Sequence, residues 1–195
     1  MSRAGFNEAL EAARLMWLAS RDMRRFARWP DDIIWTKRKA VSIPAISHLQ
    51  ARSGTPNMRT ARLHNAIIAL APHVEWRHTY SEAEVGADFL SRYGWFELVG
   101  PEGHFHSEQT RMTVGFWGNG LHYDWHQHRA EELYCVLSGS ALFMAGNRPQ
   151  RKLRAGGFQM HGSNEPHAMI TVGQPLLAFV IWRGEGLADP PAMST

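Results

Sequence analysis

The stretch from Gly120 to Gly139, GLHYDWHQHRAEELYCVLSG, sets two histidines two residues apart and a glutamate four residues further on. That spacing restricts the backbone. Successive side chains of an extended strand point to opposite faces, so His126 and His128 share a face when the chain is β there. Glu132, Tyr134 and Val136 form a second alternating set, with Leu133, Cys135 and Leu137 opposite. The residues between the two sets, Arg129 to Glu131, form a turn or bulge that can return the carboxylate to the imidazoles. A fourth ligand has to come from a later strand, and His167, in NEPHAMI, opens a β run. Three imidazoles and one carboxylate suit Zn, Fe(II), Mn, Co or Ni and do not choose among them. On an octahedral ion this set leaves two positions open; on four-coordinate zinc it leaves none unless a ligand moves.

The rest of the chain divides by texture. In the first third, Phe6, Leu10, Ala13, Met16, Trp17 and Met23 recur at helical spacing, and Pro30 stops the run. After SIPAISHLQARSGTP, a second helix is expected with Thr55 as cap, Pro56 in the first turn, and Leu63, Ala66, Ile67 and Leu70 as its apolar stripe, closed by Pro72. A third starts at Ser81, where Glu84 has capping-box spacing, and ends at Gly94. Beyond GPEGHFHSEQ come short β-branched and aromatic runs: RMTVGFWGNG, ELYCVLSGSALFMAG, FQMHG, HAMITV and LLAFVIW. Strands without helices between them point to an antiparallel sandwich or barrel. The expected division is a helical extension over 1–95 packing on a β-barrel over 96–195 that carries the metal site.

Several function classes fall away. A chain of 195 residues holds one core plus an appendage. No apolar run approaches the roughly 18–20 residues of a membrane span. The first residues, MSRAGFNEALEAARLMW, are amphipathic and carry acids, unlike a signal peptide, and the single Cys135 fits a reducing compartment, so a cytoplasmic protein is expected. Arginines cluster over Arg21–Arg28 and Arg59–Arg62, but their helical period reads as a solvated face, and nucleic acid is not expected as a partner. His104 and His106 repeat the two-residue spacing without a following carboxylate; His122, His161, His64 and His78 read as surface or hydrogen-bonded residues. No GxSxG, phosphate loop or dinucleotide fingerprint is present.

From Gly120 the order is Gly, five residues, His126, one, His128, three, Glu132, six, Gly139. This resembles the first conserved motif of the cupin superfamily, with every fixed position occupied. Gly156 opens the second motif, and His167 falls where that family places its last metal ligand. Gly162 stands for the usual proline, Asn164 for the usual glycine and Thr171 for the usual asparagine. Asn best tolerates the left-handed conformation among non-glycine residues, so that exchange is mild. Tyr134, Tyr123, Trp182 in FVIW and the helical first third together resemble the dimethylsulfoniopropionate (DMSP) lyase-like branch of the cupins.

The resemblance implies a mainly β fold, a cupin double-stranded β-helix or jelly-roll barrel with an N-terminal helical extension. It implies one divalent transition metal ion (Zn, Fe(II) or Mn) on His126, His128, Glu132 and His167. The implied activity is metal-dependent carbon–sulfur lysis of DMSP to acrylate and dimethyl sulfide by β-elimination, with a small zwitterionic or carboxylate substrate. A dioxygenase or isomerase cupin, or a non-catalytic ligand-binding or regulatory cupin, would use the same ligands. Tyr134 shares the strand face of Glu132 and is the expected base, with Tyr123 assisting; a nearby divalent ion offsets the high pKa of a phenol. Trp182, Trp125 and Trp117 are candidates to receive the sulfonium by cation–π contact. Cys135 points away from the ligands, and an exposed barrel edge would allow a homodimer.

Overall fold

The computed structural model describes residues 3–193. The first half is helical, with α1 (Arg3–Ala19), α2 (Arg21–Phe26), the two-residue strand β1 (Ile34–Trp35), α3 (Ala45–Ala51), α4 (Ala61–Leu70), α5 (Glu82–Val85) and α6 (Ala87–Arg92). The strands that follow are β2 (Tyr93–Gly100), β3 (Phe105–His106), β4 (Arg111–Trp117), β5 (His122–Gln127), β6 (Glu131–Ala145), β7 (Arg151–Arg154), β8 (Phe158–His161), β9 (His167–Arg183) and β10 (Ala192–Met193). They form one sheet in the order β1-β3-β2-β4-β9-β5-β10, and β6 pairs with β7, β8 and β9. The two longest strands, β6 and β9, run side by side and carry the barrel from one face to the other. This is the expected cupin-type architecture. Among the described residues no helix is long and apolar enough to cross a membrane.

Three helix boundaries differ from the periodic reading. The first apolar run is broken at Ser20, whose hydroxyl accepts the Met23 N–H at 3.3 Å and so starts α2. The second helix starts at Ala61 rather than near Pro56, because the Asn57 side chain accepts the N–H groups of Arg59 and Thr60 and holds a turn there. Pro56 instead bridges to Ser138 of β6. The Ser81–Glu84 capping box forms as expected, but Gly86, at φ +80°, separates α5 from α6. Neither the short α3, inside a proline-containing stretch, nor β2, which already lies in the sheet before residue 96, is evident from periodicity.

Strand alternation creates two separate cores. On the outer face, Leu133, Cys135, Leu137, Phe179 and Ile181 join Met112 and Val114, and α1 and α4 cover them with Ala9, Ala13, Leu63 and Ile67. On the inner face, Tyr93, Trp117, Tyr123, Tyr134, Val136, Ala178 and Val180 pack together inside the barrel. Cross-strand registers stack the inner residues in rows: Arg111–Trp182–Glu132–His161, then Thr113–Val180–Tyr134–Gln159, then Gly115–Ala178–Val136. Side chains paired across strands share a face, so each row projects into the same interior.

Candidate metal centre

Three strands deliver the cluster. His126 and His128 flank the end of β5, Glu132 stands at the start of β6, and His167 opens β9. The register between β5 and β9 shifts between Tyr123 and His126, a bulge that lets residues three apart face the same interior. The same bulge turns Trp125 off that face. It is half-buried and does not line the cavity beside the cluster.

Each imidazole is held by its own backbone. His126 Nδ1 donates to the Asp124 carbonyl at 2.7 Å, His128 Nδ1 to Ala130 at 2.7 Å, and His167 Nδ1 to Glu165 at 2.8 Å. A carbonyl can only accept, so Nδ1 carries the proton and Nε2 is left with a lone pair. The Nε2 atoms of His128 and His167 lie 3.4 and 2.9 Å from Glu132 Oε1. One ligand atom each from His128, Glu132 and His167 falls within 4.8 Å of the others, all three residues being buried. Both Glu132 oxygens and the two Nε2 atoms lack a hydrogen-bond partner. Acceptors turned toward one another in a dry interior repel unless a cation lies between them. The donor set therefore fits a divalent metal ion. His126 borders this group, its ring centroid 4.1 Å from that of His167 and 6.3 Å from that of His128.

Without an ion, the electrostatics favour positive charge on the imidazole beside Glu132 in its place. Burial opposes the Glu132 charge, but attraction to His128 and His167 outweighs it and holds the carboxyl well below its usual range. Burial likewise opposes a His128 charge and is outweighed by Glu132, which raises the imidazole. Burial first, then His167, lowers His126 to about 3, so it is a neutral imidazole near neutral pH.

Beside the cluster lies a small cavity of about 50 Å³, with Trp95, Arg111, Trp117, Tyr123, Tyr134 and Trp182 in its wall. Tyr134 and Tyr123 are each 5% exposed, and burial pushes both phenols well above their ordinary value. The Tyr123 hydroxyl is 3.5 Å from that of Tyr80, and the Tyr123 ring lies 4.2 Å from His126. Trp182 packs 4.5 Å from His128 and ties its Nε1 to Thr113.

Several residues departed from the sequence reading. His161, expected at the surface or hydrogen-bonded, is buried opposite Glu132 and stacks on His167 at 4.0 Å, with no partner for Nδ1. His104 is buried too, but far along the chain from any ligand, and its Nε2 accepts the Glu75 N–H. Asn164 has φ 55° and is the only non-glycine residue at positive φ among those described. Thr171 fills the asparagine position by accepting the Leu121 N–H and donating to the Gly118 carbonyl. Arg111, Trp95, Tyr93 and Tyr80 carried no motif, because only the register across β2, β4 and β9 turns the first two toward the site.

The profile of the dimethylsulfoniopropionate lyase family matches residues 19–178. The dimethylsulfoniopropionate lyase DddQ of Ruegeria pomeroyi is 34% identical over 160 residues, which is 82% of this chain and 80% of that protein. The crystal structure of DddQ from R. pomeroyi DSS-3 superimposes with a TM-score of 0.94 at 30% identity, covering 99% of this chain and 98% of its own. A crystal structure from work on the DMSP lyases RdDddP and RnDddQII reaches a TM-score of 0.97 at 51% identity over 99% of both chains. Together with the cupin-type barrel and its buried His–His–Glu cluster, these matches establish that the chain belongs to the dimethylsulfoniopropionate lyase family.

Proposed function

We propose that this chain cleaves DMSP to acrylate and dimethyl sulfide. The observation that carries the reading is the meeting, around one cavity, of a buried His–His–Glu cluster that could hold a metal ion with buried phenols. His128, Glu132 and His167 would hold the metal ion, with His126 at its border. When bound, a divalent ion supplies positive charge that stabilises the enolate-like charge on the substrate and favours a phenolate nearby.

The chain's own residues do the rest. Tyr134 is the base: its ring shares the interior of the barrel with Glu132. It takes the proton from the carbon next to the carboxylate. The electrons of that C–H bond form the new double bond, and the carbon–sulfur pair leaves with dimethyl sulfide. Tyr123, linked to Tyr80, assists as acid/base or positions the substrate. The aromatic wall excludes water from the developing carbanion. Burial first, and then the Glu132 charge, raise the Tyr134 phenol, so activity depends on the cation as well as on the base.

Protein loaded with Mn, Fe(II) or Zn and given DMSP should release dimethyl sulfide, read by headspace chromatography. No release with any of the three overturns the substrate. Tyr134→Phe should remove turnover with metal content unchanged, and retained turnover would reassign the base.

A further inference from the structure

A second cavity lies on the outer side of β6, between the barrel and the helices. Its volume of about 490 Å³ is that of an ordinary small-molecule site, and far exceeds the roughly 50 Å³ beside the metal cluster. Ala12 and Met16 of α1, Leu63 of α4, Cys135 of β6 and Phe158 of β8 line it. The first four are buried members of the outer core, and Phe158 packs against that core. The gap exists because small residues face it: Ala12, Ala19, Ser20 and Gly156 leave space that larger side chains would fill. Leu15, in the same wall, stays 37% exposed. The recess is apolar and open to solvent.

The exposed part of the wall has the opposite chemistry. It carries Arg21, Arg59 and Arg62, with Asp22 as the one acidic residue. Arg62 pairs with Glu8 at 3.0 Å, an exposed contact that contributes little to stability. Arg21 and Arg59 take part in no ion pair among the described residues. The two hydroxyls in the wall are engaged by backbone: Ser20 accepts the Met23 N–H, and Thr60 donates to the Leu137 carbonyl at 2.7 Å. Charge recognition here therefore falls to the guanidinium groups. A second copy of the chain does not suit this cleft, because two-fold packing would set the same patch against itself, arginine facing arginine. An anion with an apolar tail meets both the floor and the rim.

We propose that this cleft binds a small amphiphilic carboxylate, its tail on Met16, Leu63 and Cys135 and its head at Arg21 and Arg59. The planar guanidinium fork matches a carboxylate, and the apolar floor removes the tail from water. The tail rests on the outer face of β6, behind the inner face that carries Tyr134. Ligand and substrate thus occupy opposite sides of one strand, and both can be bound at once. This site is separate from the metal cavity and does not depend on the lyase reading.

The test is calorimetric titration of the full-length, metal-loaded protein with octanoate, beside neutral octanamide and tail-less acetate. Octanoate should bind once per chain and at least about tenfold more tightly than either, since it alone offers both the charge-assisted contact and the tail. Arg21→Gln combined with Arg59→Gln changes two exposed side chains, and should bring octanoate down to the affinity of octanamide. Leu15→Glu sets an anion in the wall and should weaken octanoate at least about tenfold while dimethyl sulfide release stays as in wild type. Equal wild-type affinities for octanoate and octanamide overturn the proposal without recourse to any variant. Unchanged octanoate affinity in the folded double variant overturns it as well. Sedimentation that shows a dimer disrupted by Leu15→Glu would make the cleft an interface between copies, and that too overturns it.

Discussion

Gly115→Ala isolates the placement of one aromatic wall. Gly115 sits in β4 with ordinary strand geometry and no positive φ, so alanine suits its backbone. The obstacle is Trp117, whose ring lies over the glycine. An added Cβ would come within 2.6 Å of Cζ3 and closer still to Cη2, against ordinary contact from 3.4 Å. The ring must therefore retreat by close to 1 Å, into a cavity where its centroid is 5.7 Å from Tyr123 and 6.0 Å from Tyr134. Overpacking costs about 1–3 kcal/mol, and replacing a strand glycine recovers about 0.5–1 kcal/mol. The net loss of up to about 2.5 kcal/mol lowers Tm by up to roughly 10 °C in a chain of this size. A displacement of about 1 Å near reacting groups can lower rate by about a hundredfold. Activity should thus fall far more than stability, with metal content intact. The assay is kcat/KM from dimethyl sulfide release beside a melting curve. Gly115→Ala with Trp117→Phe removes the clashing ring edge and should recover the lost Tm, a non-additive pair. Full activity in the single variant would refute the steric reasoning.

Three further outcomes follow from other parts of the molecule. Chelation should lower Tm, because the Glu132 oxygens and the facing Nε2 atoms are left without a partner; a metal at about a thousandfold its Kd contributes about 4 kcal/mol, or roughly 8–16 °C, and calorimetry with and without metal reads it. Burial pushes His104 down to about 4 from 6.5. A folded value below the unfolded one means stability is full above pH 6.5 and is lost as pH falls toward 4, by about 3 kcal/mol. His104→Gln keeps an acceptor for Glu75 and should remove this part of the acid sensitivity; urea unfolding of both proteins at pH 7 and pH 4 compares them, and parallel losses would contradict it. At Gly139, with φ +76°, an added Cβ would meet the Pro175 carbonyl carbon at 2.8 Å and its oxygen closer still. Gly139→Ala should therefore prevent accumulation of soluble folded protein, and a normal melting curve would show that β6 and β9 can part there.

The buried cluster of His128, Glu132 and His167 was legible because strand alternation acts within a few residues. His126, His128 and Glu132 sit on one short segment, and His167 opens a recognisable β run. Other features needed information from elsewhere in the chain. Whether Arg111 faces the barrel or the helices depends on its pairing with Trp182. The bulge that removes Trp125 from the wall is a mismatch between β5 and β9, and no local composition marks it. His161 resembled an ordinary strand-end histidine until its register placed it opposite Glu132. Helix starts were misread where side chains competed for backbone N–H groups, at Ser20 and Asn57. The capping box at Ser81 was readable because both of its partners lie within four residues.

The two cores on opposite faces of β6 impose a parity rule on how such chains can diverge. Glu132 and Tyr134 face the interior, while Leu133 and Cys135 face α1 and α4. A single inserted or deleted residue at the start of β6 exchanges these sets, moving the carboxylate into oil and a leucine into the ligand sphere. Relatives should therefore vary along this strand by substitution or by length changes of two, with odd-length gaps confined to the turns. New substrates are then reached by exchanging wall residues such as Trp117 or Arg111 in place, while the reading frame of the strand stays locked.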